Sequence, residues 1–201
     1  MVDLILASAS PRRLELLHQL GLRLRVQPAH IDETPQDHEK PHAYVQRVAH
    51  EKCLAQLSAT AAEGLPLLAA DTTVILDQTI LGKPEDASQA THMLQQLSGK
   101  RHEVATAFCI SFQGHVVQQM VTTQVVFRAI DASEMKAYVD SNEWNGKAGG
   151  YAIQGRAAAF VTEVRGSITN VIGLPLAEVL LALRSLGALP CYPPPAYGAT
   201  A

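Results

Sequence analysis

The chain is predicted to be α/β, built on a mixed, elongated, twisted sheet with flanking helices. Apolar runs of strand length alternate with segments of helical periodicity along its 201 residues. The run Leu67–Leu76 is apolar and β-branched enough to be a strand buried on both faces. Two further long runs meet through Gln113-Gly114 as a hairpin, which breaks the βα alternation and makes the sheet mixed rather than parallel.

The elements follow in order. Residues 4–7 are the first strand, and Ser10-Pro11 opens a helix with a capping residue and a proline at its first position. Leu14, Leu16, Leu17 and Leu20 give that helix its core stripe, and Gly21 stops it. A second helix starts near Pro41, with Val45, Val48, Ala49 and Cys53 at helical spacing. After the buried strand, Gly82-Lys83-Pro84 forms a loop into a helix over residues 85–97, closed by Gly99. Strands over 102–112 and 116–127 form the hairpin. Asp131 and Glu134 have the spacing of a capping box that opens a short helix. The loop over 142–155 holds four glycines and the single Trp, and is too long for a plain connector. A strand over 158–164 and a helix over 175–186 complete one domain, residues 1–189; the Pro-rich stretch 190–201 is expected to be a disordered tail.

Composition narrows the functional classes. With 47% hydrophobic and 17% charged residues, the chain can close a core. A net charge of −3 gives no global attraction to nucleic acid or an anionic membrane, so any anion site must be a local cluster. No apolar run approaches the roughly 18 residues of a membrane span. Three cysteines, odd in number and without metal spacing, fit reduced thiols in the cytoplasm.

Asp71 interrupts the most apolar strand of the chain, where an ionised carboxylate needs a cation, a metal or several donors. It fits either a turn cap or a strand-borne acid facing a cleft, poised as base or metal ligand. Ser8, Arg12 and Arg13 flank the start of the first helix, where free N–H groups invite an anion, although surface ion pairing would also explain the arginines. Lys52 lies at the edge of the apolar stripe of the second helix, as a snorkelling lysine or a site cation would. Lys83 sits on a stiffened turn, and Glu33 in a loop. Four cations and two hard carboxylates suit a nucleoside triphosphate, which carries about four negative charges and travels with a divalent metal. Gln154, in the glycine-rich loop, offers an amide pair matching the imide edge of uracil or thymine or, with the amide flipped, the edge of cytosine, and a tight structural turn would also explain the loop. The eight histidines form no zinc pattern.

Six motifs in order carry a resemblance across nearly the whole domain. They are Ala7-Ser8-Ala9-Ser10-Pro11-Arg12-Arg13, Ala70-Asp71-Thr72-Thr73-Val74, Gly82-Lys83-Pro84, Leu97-Ser98-Gly99-Lys100-Arg101-His102, Lys147 through Gly155, and Asn170-Val171-Ile172-Gly173-Leu174-Pro175. In these the chain resembles the Maf family of nucleotide pyrophosphatases. The resemblance implies a fold related to the inosine triphosphate pyrophosphatases, a homodimer, and Mg²⁺- or Mn²⁺-dependent cleavage of a nucleoside triphosphate to monophosphate and pyrophosphate. It implies Asp71 as the proton acceptor, Ser8, Arg12, Arg13, Lys52 and Lys83 as phosphate contacts, and Glu33 as a partner of water or metal, with Glu33 and Asp71 the candidate metal ligands. Arg12, Thr72 and Gln154 match the branch acting on dTTP and UTP. The branch acting on 7-methyl-GTP carries Trp, Gln and Glu at these places. Two other readings stay open: 7-methyl-GTP as substrate, and a nucleotide-binding regulator of septum formation.

Overall fold

A computed structural model describes residues 2–60 and 63–189; the expected tail lies outside the described residues. Seven strands form one sheet in the order β2-β1-β3-β5-β6-β7, with β4 added to β3. They are β1 (Leu4–Leu6), β2 (Leu24–Val26), β3 (Leu67–Leu76), β4 (Thr79–Leu81), β5 (Arg101–Phe112), β6 (His115–Phe127) and β7 (Val161–Arg165). Strand β1 is parallel to β2 and β3, and the remaining pairs are antiparallel, so the sheet is mixed as expected. The helices are α1 (Pro11–Gln19), α2 (Pro41–Thr60), α3 (Ala87–Leu97), α4 (Ala132–Asp140), α5 (Ile168–Ile172) and α6 (Leu176–Ser185).

Strand β3 organises the molecule. One edge pairs with β5 from Leu67 to Ile75. The other edge is shared: β1 pairs with Leu67 and Leu68, and β4 pairs with Val74 to Leu76. Between these partners the edge is open, and Asp71 and Thr72 fall in the gap. Side chains alternate along a strand, so these neighbours face opposite sides of the sheet. Leu67, Ala69 and Ile75 pack beneath α2 with Cys53, Val45 and Ala49. Leu68 and Ala70 pack on the other face with Leu17 of α1, Phe108 of β5 and Val179 of α6. A further cluster under α3 and α4 gathers Val74, Leu94, Val125, Phe127, Tyr138 and Phe160.

Several local expectations are corrected. Ser10 occupies the N-cap of α1 but makes no side-chain capping bond. Its N–H instead donates to Ser8 Oγ at 3.2 Å, because the chain turns back on itself before the helix begins. Helix α3 starts at Ala87, since Asp86 is the residue that accepts from the Gln89 N–H and caps it. The apolar stretch expected as a strand from 158 begins as a 3-10 turn, Arg156–Phe160, and only then becomes β7. Ala157 and Phe160 are buried while Ala158 and Ala159 are exposed, the three-residue spacing of that turn rather than the alternation of a strand. The Asp131 capping box is present, and Gln113 and Gly114 turn the hairpin with positive φ. Short β2, β4 and α5 carried too few residues for periodicity to reveal them.

Candidate active site

The gap in β3 opens into a cleft of about 410 Å³, lined by all nine residues singled out in the sequence: Ser8, Arg12, Arg13, Glu33, Lys52, Asp71, Thr72, Lys83 and Gln154. Asp71 continues the strand rather than ending it, which removes the turn-cap reading. Its Oδ1 accepts from Lys52 Nζ at 2.8 Å, and both residues are 7% exposed. The same ammonium lies 2.9 Å from Glu33 Oε1. Lys52 is therefore no snorkelling side chain: it lies within the buried stripe of α2, beside Cys53, and joins two carboxylates. Burial raises the Glu33 carboxyl, but the hydrogen bond from Lys52 and the charges of Lys52, Lys83 and Arg13 outweigh it and hold the group below the ordinary carboxylate range.

The opposite face carries the arginines. Arg13 Nε donates to Gly173 O at 2.8 Å, Nη1 to Ser8 Oγ at 3.0 Å and Nη2 to Thr72 Oγ1 at 2.9 Å. Three of its five N–H groups are thus committed within the protein. Arg12 Nε donates to Ile172 O at 3.1 Å, and its Nη groups make no hydrogen bond to the described residues. Burial lowers the pKa of both guanidiniums; for Arg13 the charge of Asp71 works against this and that of Arg12 adds to it. Burial that penalises a charged guanidinium favours the arrival of an anion beside it.

The glycine-rich loop forms the third wall. Gly149 has a φ of 69°, and a Cβ there would lie 2.9 Å from Val74 Cγ2, so the backbone rests directly on β3. Its N–H donates to Gly82 O at 2.9 Å, which ties this loop to the one carrying Lys83. Lys147 and Tyr151 line the cleft from this loop, as does His30 from the segment before Glu33. None of the three was singled out as a site residue. The position of Lys147 between glycines was a usable signal, whereas nothing near His30 marked it. Burial, then the charge of Arg12, lowers the Lys147 pKa.

Five cations, Arg12, Arg13, Lys52, Lys83 and Lys147, thus share the cleft with two carboxylates. Among the described residues no group of three His, Cys, Asp or Glu could hold a metal. Asp71 and Glu33, drawn to one ammonium, still fit a hard cation of the kind that takes one or two protein carboxylates and completes its shell with substrate oxygens.

Fold and cleft together define an α/β protein that gathers five cations around a buried carboxylate at an open strand edge. The chain belongs to the Maf family, whose profile, Maf-like protein, matches residues 3–186. It is 50% identical over 188 residues to a dTTP/UTP pyrophosphatase of Anaeromyxobacter dehalogenans, covering 92% of this chain and 94% of that protein. It is 47% identical over 193 residues to the dTTP/UTP pyrophosphatase of Nitrosomonas europaea, covering 90% of this chain and 93% of that one. The counterpart in Neisseria gonorrhoeae is 44% identical over 195 residues, covering 94% and 96%. A solved nucleoside-triphosphatase / dITP/XTP pyrophosphatase from Mycobacterium abscessus superposes with a TM-score of 0.44 at 18% identity, over 91% of this chain and 97% of that one, a likeness too loose to argue from.

Proposed function

We propose that the protein hydrolyses dTTP and UTP to the monophosphate and pyrophosphate. The observation that carries this reading is the Asp71–Lys52 pair in the open edge of β3, inside a cleft whose cations outnumber its carboxylates. The names of relatives 44 to 50% identical over almost the whole chain support the same activity.

In this reading Asp71 takes the proton of a water that attacks the α-phosphorus, and the bond to the β-phosphate oxygen breaks as pyrophosphate leaves. Lys52 holds Asp71 and Glu33 in register, while Lys83, Arg12 and Arg13 offset charge growing on the departing group. Ser8 and Thr72 fix the Arg13 guanidinium from two sides. Gln154, exposed at the mouth, pairs with the imide edge of the base. Mg²⁺ or Mn²⁺, when bound by Asp71, Glu33 and phosphate oxygens, would supply further neutralisation of the triphosphate.

The family resemblance also supports a homodimer. It is joined by the odd number of cysteines in supporting a cytoplasmic enzyme that keeps the nucleotide pool clean of surplus or modified pyrimidine nucleotides. Among the described residues no helix is long and apolar enough to cross a membrane. A substrate panel read by pyrophosphate release tests the activity: dTTP and UTP should lead, and a lead for 7-methyl-GTP, or no release at all, refutes it.

A further inference from the structure

The motif at residues 170–175 includes a buried polar side chain, Asn170, that has no place in the cleft wall. Asn170 is 0% exposed, so every bond its amide makes is internal. Its Nδ2 donates to Val104 O on β5 at 2.9 Å and to Thr123 Oγ1 on β6 at 3.0 Å. Val104 and Thr123 are register partners, so one amide grips two adjacent strands. Thr123 Oγ1 also donates to Ser167 O at 3.2 Å and accepts from the Ser167 N–H at 3.1 Å, which fixes the entry to α5.

The far end of α5 meets the arginines. Arg12 Nε donates to Ile172 O and Arg13 Nε to Gly173 O. Gly173 has a φ of 137°, which turns the chain sharply as the helix ends. A second route joins the same parts. Thr106 Oγ1 donates to Asn170 O at 3.0 Å, so its one proton is used there. The Thr72 hydroxyl lies 2.9 Å from Thr106 Oγ1 and accepts from Arg13 Nη2. The first route begins at the Asn170 side chain and the second at its main-chain carbonyl, and both finish on the guanidiniums.

We propose that Asn170 is a positioning residue that aims Arg12 and Arg13 into the cleft through the terminal carbonyls of α5. Anchoring each arginine by Nε leaves the Arg12 Nη groups, and the remaining Nη protons of Arg13, for substrate oxygens. Without the Asn170 grip, α5 slides on β5 and β6 and carries the anchoring carbonyls with it. Bound phosphate then meets misaligned donors, and displacements of this kind cost about tenfold to a hundredfold in rate.

The kinetic part rests on the pyrophosphatase reading; the spectroscopic part does not. Asn170→Ala and Thr123→Val weaken the same grip from its two sides, so the second serves if the first folds poorly. For each folded variant, kcat/KM with dTTP should fall about tenfold or more. Hydrogen exchange at the Arg13 Nε–H, followed by NMR, should quicken at least about tenfold as its carbonyl partner drifts, while the amides of β3 keep their protection. A merely structural role would leave that Nε–H as protected as the strand. Nε–H exchange quickened by less than about tenfold, or a kcat/KM loss smaller than about tenfold, overturns the proposal. If the parent protein releases no pyrophosphate at all, the pyrophosphatase reading fails and the exchange comparison still decides the role of Asn170.

Discussion

Lys52 Nζ and Asp71 Oδ1 lie 2.8 Å apart across the interface of α2 and β3, the ammonium on a helix stripe and the carboxylate in a strand gap. Asp71 takes its hydrogen bond from Lys52, whereas Lys52 would keep Glu33 at 2.9 Å without Asp71, so the carboxylate depends on the pair more than the ammonium does. If Asp71 is the base, an isosteric amide keeps the shape and removes proton acceptance. Asp71→Asn should therefore lower kcat by about a hundredfold to ten-thousandfold while nucleotide still binds. Pyrophosphate release and calorimetric titration measure the two parts; undiminished release by the variant rules Asp71 out as base.

The same pair carries a stability consequence. Lys52→Met leaves the Asp71 carboxylate buried without its cation, and breaking a buried pair from one side costs about 3–5 kcal/mol. Removing the second charge should undo most of that loss, so Lys52→Met/Asp71→Asn should be more stable than Lys52→Met. Urea unfolding of the two variants at neutral pH checks the order. If the single variant is the more stable, the carboxylate does not depend on Lys52.

Acid sensitivity should trace to His102, which is 3% exposed and shares a 2.8 Å hydrogen bond with the Tyr151 hydroxyl. Burial, opposed by the Lys100 backbone, takes its pKa from 6.5 to about 4. Between those values the unfolded chain binds a proton that the folded chain refuses, so the His102 contribution to stability falls as pH drops from 6.5 and is spent below about 4, where carboxylates held low, Glu33 among them, continue the loss. The loss across that window is about 3 kcal/mol. His102→Gln should flatten this part of the pH profile in denaturant titrations. An unchanged slope would assign the acid sensitivity to other groups.

What the sequence revealed and what it hid have physical causes. The long elements were legible because Leu67–Leu76 and the hairpin strands are apolar over many residues, and because Asp131 and Glu134 spell a cap that depends on local spacing alone. Strands of three residues, β2 and β4, leave no period to read. Yet β4 defines one side of the gap in which Asp71 lies. The cleft residues were legible as misplaced charges: an acid in an apolar strand, a lysine near an apolar stripe, arginines at a helix start. Their bonding was not. That Lys52 joins two carboxylates, and that both arginines hang from α5 by Nε, depends on contacts across 19 and 160 residues of chain that no local pattern encodes.

Gly149 is a position where any side chain should be costly. Its φ of 69° disfavours a Cβ, and that Cβ would sit 2.9 Å from Val74 Cγ2. Gly149→Ala should lift the loop from β3, strain the bond to Gly82 O and cost about 1–3 kcal/mol. Adding Val74→Ala removes both methyls but keeps the Val74 Cβ 3.0 Å away and leaves the backbone conformation as it was, so thermal unfolding, referred to Val74→Ala alone, should show partial recovery. Full recovery would mean that the two methyls alone constrain the loop, and none that the backbone conformation and the Val74 Cβ do.

Base selection should respond to Gln154, which is exposed at the cleft mouth and carries both a donor and an acceptor. The imide edge of uracil or thymine offers N3–H as donor and O4 as acceptor, so the amide oxygen takes the first and the amide nitrogen serves the second. Gln154→Glu keeps an acceptor for N3–H but sets a carboxylate oxygen against O4. That loses a hydrogen bond and adds a repulsion, which together should lower kcat/KM for dTTP and UTP by about tenfold to a hundredfold. Cytosine presents an amino group where uracil has O4 but an unprotonated N3 where uracil has N3–H, so the carboxylate gains one hydrogen bond and keeps one repulsion there; UTP only loses, and the ratio of CTP to UTP turnover should rise. Pyrophosphate release with UTP, dTTP and CTP, on the parent protein and the variant, tests both halves. A uniform loss on all three would mean that Gln154 holds the loop in shape without reading the base.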